Sequence, residues 1–244
     1  MKKILFYATG LLFPVVFFGC YTAQSIVKTS SEQFPIPDNG IHKDIPYLDN
    51  IPYPDLFFIY ARQKEKALQL PELLNGFDDF SFRAWISSPT GRGVQQGELI
   101  EIRQTKGEWS GNYYTMNIKF IQSKNEEQIV DYKIYPIEPT DITWNQLLGD
   151  LSGYGIFELK SLDKLDGYGT LPADQKGYVP GSSVISFEVA TSKLYRFFQY
   201  HSLSKYATQF KEVRQVDQIM KLLKYEFNIA EVVFNAEHPE LPEE

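Results

Sequence analysis

Two kinds of chemistry-bearing residue are nearly missing from this 244-residue chain. It has one cysteine, Cys20, and three histidines, His42, His201 and His238. A lone thiol leaves no intrachain disulfide framework, and no two of the histidines have the helical or short-loop spacing of a shared metal. No Gly-x-Ser-x-Gly nucleophile elbow occurs. The glycine-rich stretch from Gly91 to Gly97 has the spacing of neither a dinucleotide fingerprint nor a P-loop, and it falls between strand signals, so it reads as a mobile hairpin loop. Asp163-Lys164-Leu165-Asp166-Gly167 lacks the alternating oxygen ligands and closing glutamate of a calcium loop and reads as turn chemistry. No metal and no cofactor are expected.

Positive charge is also scarce. The formal net charge is −7, which argues against nucleic acid and anionic headgroups as partners. Aromatic residues, at 15%, are plentiful and supply large apolar area per side chain. A core without disulfides is therefore within reach at this length.

There is one long apolar run, Ile4 to Phe18, preceded by Lys2-Lys3 and followed by Gly19-Cys20. It is short for a bilayer-spanning helix, which needs roughly 20 apolar residues, and it contains Pro14. This segment resembles the signal peptide and lipobox of bacterial lipoproteins. The resemblance implies cleavage before Cys20, so that residues 1–19 are lost and Cys20 carries palmitate-type acyl chains. Phe17-Phe18 departs from the usual leucine and small residue, and resembles the relaxed lipoboxes of Bacteroidetes. Tyr21-Thr22-Ala23-Gln24-Ser25 carries neither an aspartate after the cysteine nor an acidic cluster. What this implies is an outer-membrane position facing the periplasm. Loss of Lys2 and Lys3 leaves 22 basic against 31 acidic residues, a charge of −9.

Beyond the leader, five of the fourteen prolines fall between Phe34 and Pro54. Residues 20–54 are read as a Pro-rich tether of about 30 Å as a flexible coil, with packing of Tyr47, Ile51 and Tyr53 back on the domain as the alternative. Residues 55–228 are read as one α+β domain and 229–244 as a frayed acidic tail. From Asp55 to Leu74 helix and strand are equally supported. Phe80, Phe82, Ala84 and Ile86 alternate with Ser81, Arg83 and Trp85 in the pattern of a half-buried strand. Further strands are expected over Glu98–Gln104, Asn112–Gln122 and Gln128–Tyr135, with Tyr114, Met116, Ile118 and Phe120 on one face.

Thr140-Asp141 is expected to cap a short helix with Trp144, Leu147, Leu148 and Leu151 on one side. The passage from Gly153 to Gly181 reads as loop with at most a short strand near Ile156 to Leu159. A hairpin over Ser183–Val189 and Leu194–His201 follows, then a helix over Lys205–Phe227 burying Val213, Val216, Ile219, Met220, Leu223 and Phe227. The expected fold is an antiparallel sheet of about six strands with two or three helices packed mainly on one face.

Trp85, Trp109, Tyr195, Arg196 and Tyr200 are the candidate binding surface: if one sheet face is open, they form an aromatic platform for a glycan or an envelope protein, and otherwise helices and the Gly153 to Gly181 loop cover them. Carboxylates around that loop, Glu158, Asp163, Asp166 and Glu188, are the candidates for a hydrolase. Phe82-Arg83-Ala84-Trp85-Ile86, Gly107-Glu108-Trp109, the Tyr195 to Tyr200 strand and the helix ending in Glu226-Phe227-Asn228 together resemble a group of Bacteroidetes lipoproteins, a resemblance that implies no catalytic residues. The expectation is a membrane-anchored envelope lipoprotein acting as a binding or interaction module, with a carboxylate hydrolase and an immunity or inhibitor protein as the other classes.

Overall fold

The computed structural model describes residues 42–43, 56–87, 94–121 and 126–229. The expected signal peptide, Cys20, most of the tether and residues 230–244 of the tail lie outside the described residues. So do 88–93, which include Gly91 and Gly93 of the glycine-rich stretch, whereas Val94 to Gly97 belong to a strand.

In chain order the elements are β1 (His42–Lys43), α1 (Leu56–Ala67), β2 (Phe80–Ser87), β3 (Val94–Thr105), β4 (Glu108–Ile121), β5 (Glu126–Ile137), α2 (Trp144–Gly153), β6 (Val184–Thr191), β7 (Leu194–His201), α3 (Leu203–Tyr206) and α4 (Lys211–Glu226). β2 to β5 form a meander of neighbouring antiparallel strands, and the β6–β7 hairpin joins the other side of β2. The result is the expected α+β fold with a six-stranded antiparallel sheet. The two-residue β1 adds a parallel pairing outside β7, at Tyr195 and Arg196, so the segment read as tether touches the sheet edge there.

Strand alternation sorts the side chains onto two faces. On one, Phe82, Ile100, Ile102, Phe187 and Phe198 meet α2, α4 and the passage between α2 and β6. The stripe of Val213, Val216, Ile219, Met220, Leu223 and Phe227 is buried there as its spacing predicts. On the other, Trp85, Leu99, Tyr114, Met116, Ile118 and Phe197 lie beneath α1. The alternating pattern of β2 therefore does not mark a half-buried strand: Phe80 to Ile86 are all buried, because Arg83 and Trp85 are as covered as Phe82 and Ala84.

Three local boundaries differ from the sequence reading. α2 is capped by Thr143, whose hydroxyl accepts from the Gln146 N–H while the Gln146 side chain accepts from the Thr143 N–H. Thr140 and Asp141 instead donate to the end of α4, at the Glu226 carbonyl and carboxylate. The closing helix is split, because Phe210 adopts extended geometry and Tyr206 and Phe210 both turn into the core. The passage near Ile156 forms turns, in keeping with a loop, but three short 3₁₀ turns that the sequence reading did not include follow. Their Leu162, Leu165 and Tyr168 side chains make the passage a packed cap on the sheet.

Candidate functional site

The aromatic platform expected from the sequence is closed on both sides. Trp85 and Tyr195 lie buried under α1, while Arg196 and Tyr200 are buried against the opposite layer, where the Arg196 guanidinium donates to the Leu159 carbonyl at 2.5 Å and the Tyr200 hydroxyl to that of Lys160 at 2.5 Å. Trp109 is half-buried and stacked on Trp144, with ring centroids 5.7 Å apart. These five residues serve packing: both faces of β7 are covered, Trp85 of β2 lies under α1, and Trp109 of β4 stacks on Trp144. The candidate hydrolase carboxylates are likewise kept apart: Glu188 faces α1, and Glu158, Asp163 and Asp166 are exposed on the passage packed against the other face.

Under α1 lies a lattice of buried ions. Arg62 and Glu65 come from α1, Arg83 from β2, Glu101 from β3 and Glu188 from β6. Glu188 accepts from Arg62 and from the Tyr195 hydroxyl (2.8 Å) at one oxygen, and from the Trp85 indole N–H (2.6 Å) at the other. Glu65 Oε2 accepts from Arg62 (2.7 Å) and Arg83 (2.5 Å), and Glu101 Oε1 accepts from Arg83 Nε at 3.1 Å. Arg83 spends its remaining nitrogen on the Pro71 carbonyl at 2.7 Å. Burial raises the Glu65 carboxyl above its ordinary value, opposed by the two guanidiniums, and burial likewise holds the Tyr195 hydroxyl in its protonated, donating form. Each carboxylate is engaged by neighbours packed around it, so the lattice docks α1 on the sheet and leaves no reacting position.

The opposite face holds an opening. Reading across β3, β4 and β5, the paired residues form successive rows: Ile102–Gly111–Ile137, Ile100–Tyr113–Tyr135, Glu98–Thr115–Lys133 and Gln96–Asn117–Asp131. The first row lies under α2, where Trp144 seats on Gly111. A Cβ at that glycine would come within 2.7 Å of the Trp144 ring and 2.9 Å of Ile137. The helical layer gives way beyond that row, and the polar rows with Tyr113 and Tyr135 line a groove of about 320 Å³.

This floor grades from aromatic to ionic to amide. The Tyr113 and Tyr135 rings lie 6.1 Å apart, tilted by 31°, and Tyr135 is 43% exposed. The Glu98 residue is only 7% exposed, yet it lines the groove. Among the described residues its donor is the Tyr113 hydroxyl, at 2.9 Å. Burial first, then the Glu98 charge, pushes the Tyr113 phenol up, so it remains a donor. The Asn117 amide donates to Asp131 at 2.8 Å. A β-bulge after Asn117 shifts the β4–β5 register by one residue, so that Ile118 pairs with Ile129 and Asn117 with Asp131.

Glu98, Asn117, Asp131, Lys133 and Tyr135 were not singled out as a site in the sequence reading, although a signal existed. β4 alternates Tyr113, Thr115 and Asn117 against the apolar Tyr114, Met116 and Ile118. That is the pattern of a strand with one face left to polar contacts. His201 sits between Tyr178 and Tyr206 with Nδ1 3.3 Å from the Ser202 hydroxyl, and burial lowers its pKa. Among the described residues no three His, Cys, Asp or Glu side chains gather as a metal site, and no helix is long and apolar enough to cross a membrane. No protein-family model matches the chain, and a search of curated proteins finds no match.

Proposed function

We propose that the chain is a cell-envelope lipoprotein, anchored through acyl chains on Cys20, whose folded part binds a ligand without transforming it, in the groove on β3, β4 and β5. The anchor rests on the charged start, the apolar run and Gly19-Cys20. Two or three acyl chains on one residue make attachment effectively permanent, because each buried methylene contributes about 0.8 kcal/mol. The outer membrane, facing the periplasm, is the proposed site of residence, and a glycan or an envelope protein the class of partner.

The observation that carries the binding half is Glu98: a residue only 7% exposed whose carboxylate borders a cavity, with one neutral donor among the described residues. A polar group in that position is completed by a ligand or by water. Binding is favoured over hydrolysis because the groove is lined along a sheet face by exposed as well as buried residues, and because Glu98 and Asp131 are each held by a neutral donor.

The anchor is tested by Cys20→Ala in cells fed a fatty acid analogue. The variant should take up no label and leave the membrane fraction on carbonate washing. Retained label or retained fractionation with membranes contradicts the lipoprotein reading.

A further inference from the structure

We infer that the groove takes a neutral saccharide unit, resting on the reading of this groove as a ligand site. The size is suitable: three strands by three rows span roughly 10 by 14 Å, and 320 Å³ is at the small end of ligand cavities. The chemistry follows the rows. A pyranose has an apolar C–H face and a rim of hydroxyls. The Tyr113–Tyr135 pair offers ring surface for the former, with Tyr135 open to solvent. One and two rows further lie the acceptors Glu98 and Asp131 and the amides of Gln96 and Asn117, at the reach of ring hydroxyls. A hydroxyl donating to a carboxylate makes a short, charge-assisted hydrogen bond.

Charge separates this ligand from the alternatives. Glu98 and Asp131 disfavour an anion, so a phosphate or acidic peptide meets repulsion at the floor. Lys133 stands in the same row as Glu98, which weakens the hold on a cationic peptide. Both carboxylates already accept from neutral O–H or N–H donors, and a sugar hydroxyl extends that arrangement without adding charge.

The test is amide chemical-shift mapping of the soluble chain starting at Tyr21 against a panel of neutral mono- and disaccharides at millimolar concentration, with tri-lysine as the second arm. A saccharide should bind saturably with a dissociation constant on the order of 1 mM, with shifts centred on Glu98, Thr115, Asn117, Lys133 and Tyr135. Glu98→Gln and Tyr135→Ala should each weaken it about 10-fold while the rest of the spectrum is unchanged. Groove shifts with tri-lysine alone overturn the saccharide and leave the groove a binding site. No groove shifts with either arm overturn both readings.

Discussion

The two faces of the sheet carry the same acidic residue type in opposite circumstances. Under α1, Glu188 takes hydrogen bonds from a guanidinium, an indole and a phenol. On the other face, Glu98 takes one from a phenol and borders a groove. Burial is nearly complete at both, so exposure does not separate a structural carboxylate from a ligand-facing one. What separates them is how many of the carboxylate's hydrogen-bonding positions the protein itself fills.

The largest effect should come from breaking the filled side. Arg83 engages Glu65 and Glu101 and holds the Pro71 carbonyl. Arg83→Met should destabilise the fold by about 3–5 kcal/mol, because it strands buried negative charge rather than because the pairs are intrinsically strong. Urea unfolding checks this. A loss below about 1 kcal/mol would mean that water reaches the lattice and that α1 docks by its apolar contacts, such as Phe58 on Phe197.

A smaller effect sharpens the comparison through pH. Glu65 binds its proton more tightly in the folded state than its ordinary value of 4.5 allows. The native state therefore holds more protons than the unfolded one above that value, and stability falls as pH rises from 4.5 through the folded pKa. His201 works in the other direction, since its depressed pKa makes stability fall as pH drops below 6.5. Unfolding free energies measured from pH 4 to 8 should lose the first slope in Glu65→Gln and keep the second.

Much of the scaffold was legible in the sequence and much of the site was not, for one physical reason. Periodicity reports which residues leave water, and it found α4, β4 and the hairpin of β6 and β7 because apolar residues there recur at the element's own period. It says nothing of partners. α1 stayed ambiguous because Arg62, Gln63, Lys64 and Glu65 are four consecutive polar residues that are all buried. Their partners are Glu188, Arg83 and Glu127 on distant strands, and in sequence they look like a solvated face. Trp85, Tyr195 and Tyr200 looked available for the same reason, since an aromatic on each side of a strand does not reveal a helix on each side of the sheet. The groove depends on where α2 ends over the sheet, and that is set by Trp144 meeting Gly111 across the chain.

The most direct test sets Glu188→Gln beside Glu98→Gln and measures both unfolding free energies under one set of conditions. Each substitution keeps the volume and removes the charge. Glu188→Gln should cost about 3–5 kcal/mol by taking from buried Arg62 one of its two carboxylate partners and setting an amide N–H2 among the donors of Arg62, Trp85 and Tyr195, and Glu98→Gln should stay within about 0.5 kcal/mol of the parent. Equal losses, or a larger loss at Glu98, would show that the groove carboxylate also holds the fold together, and would contradict its assignment to a ligand.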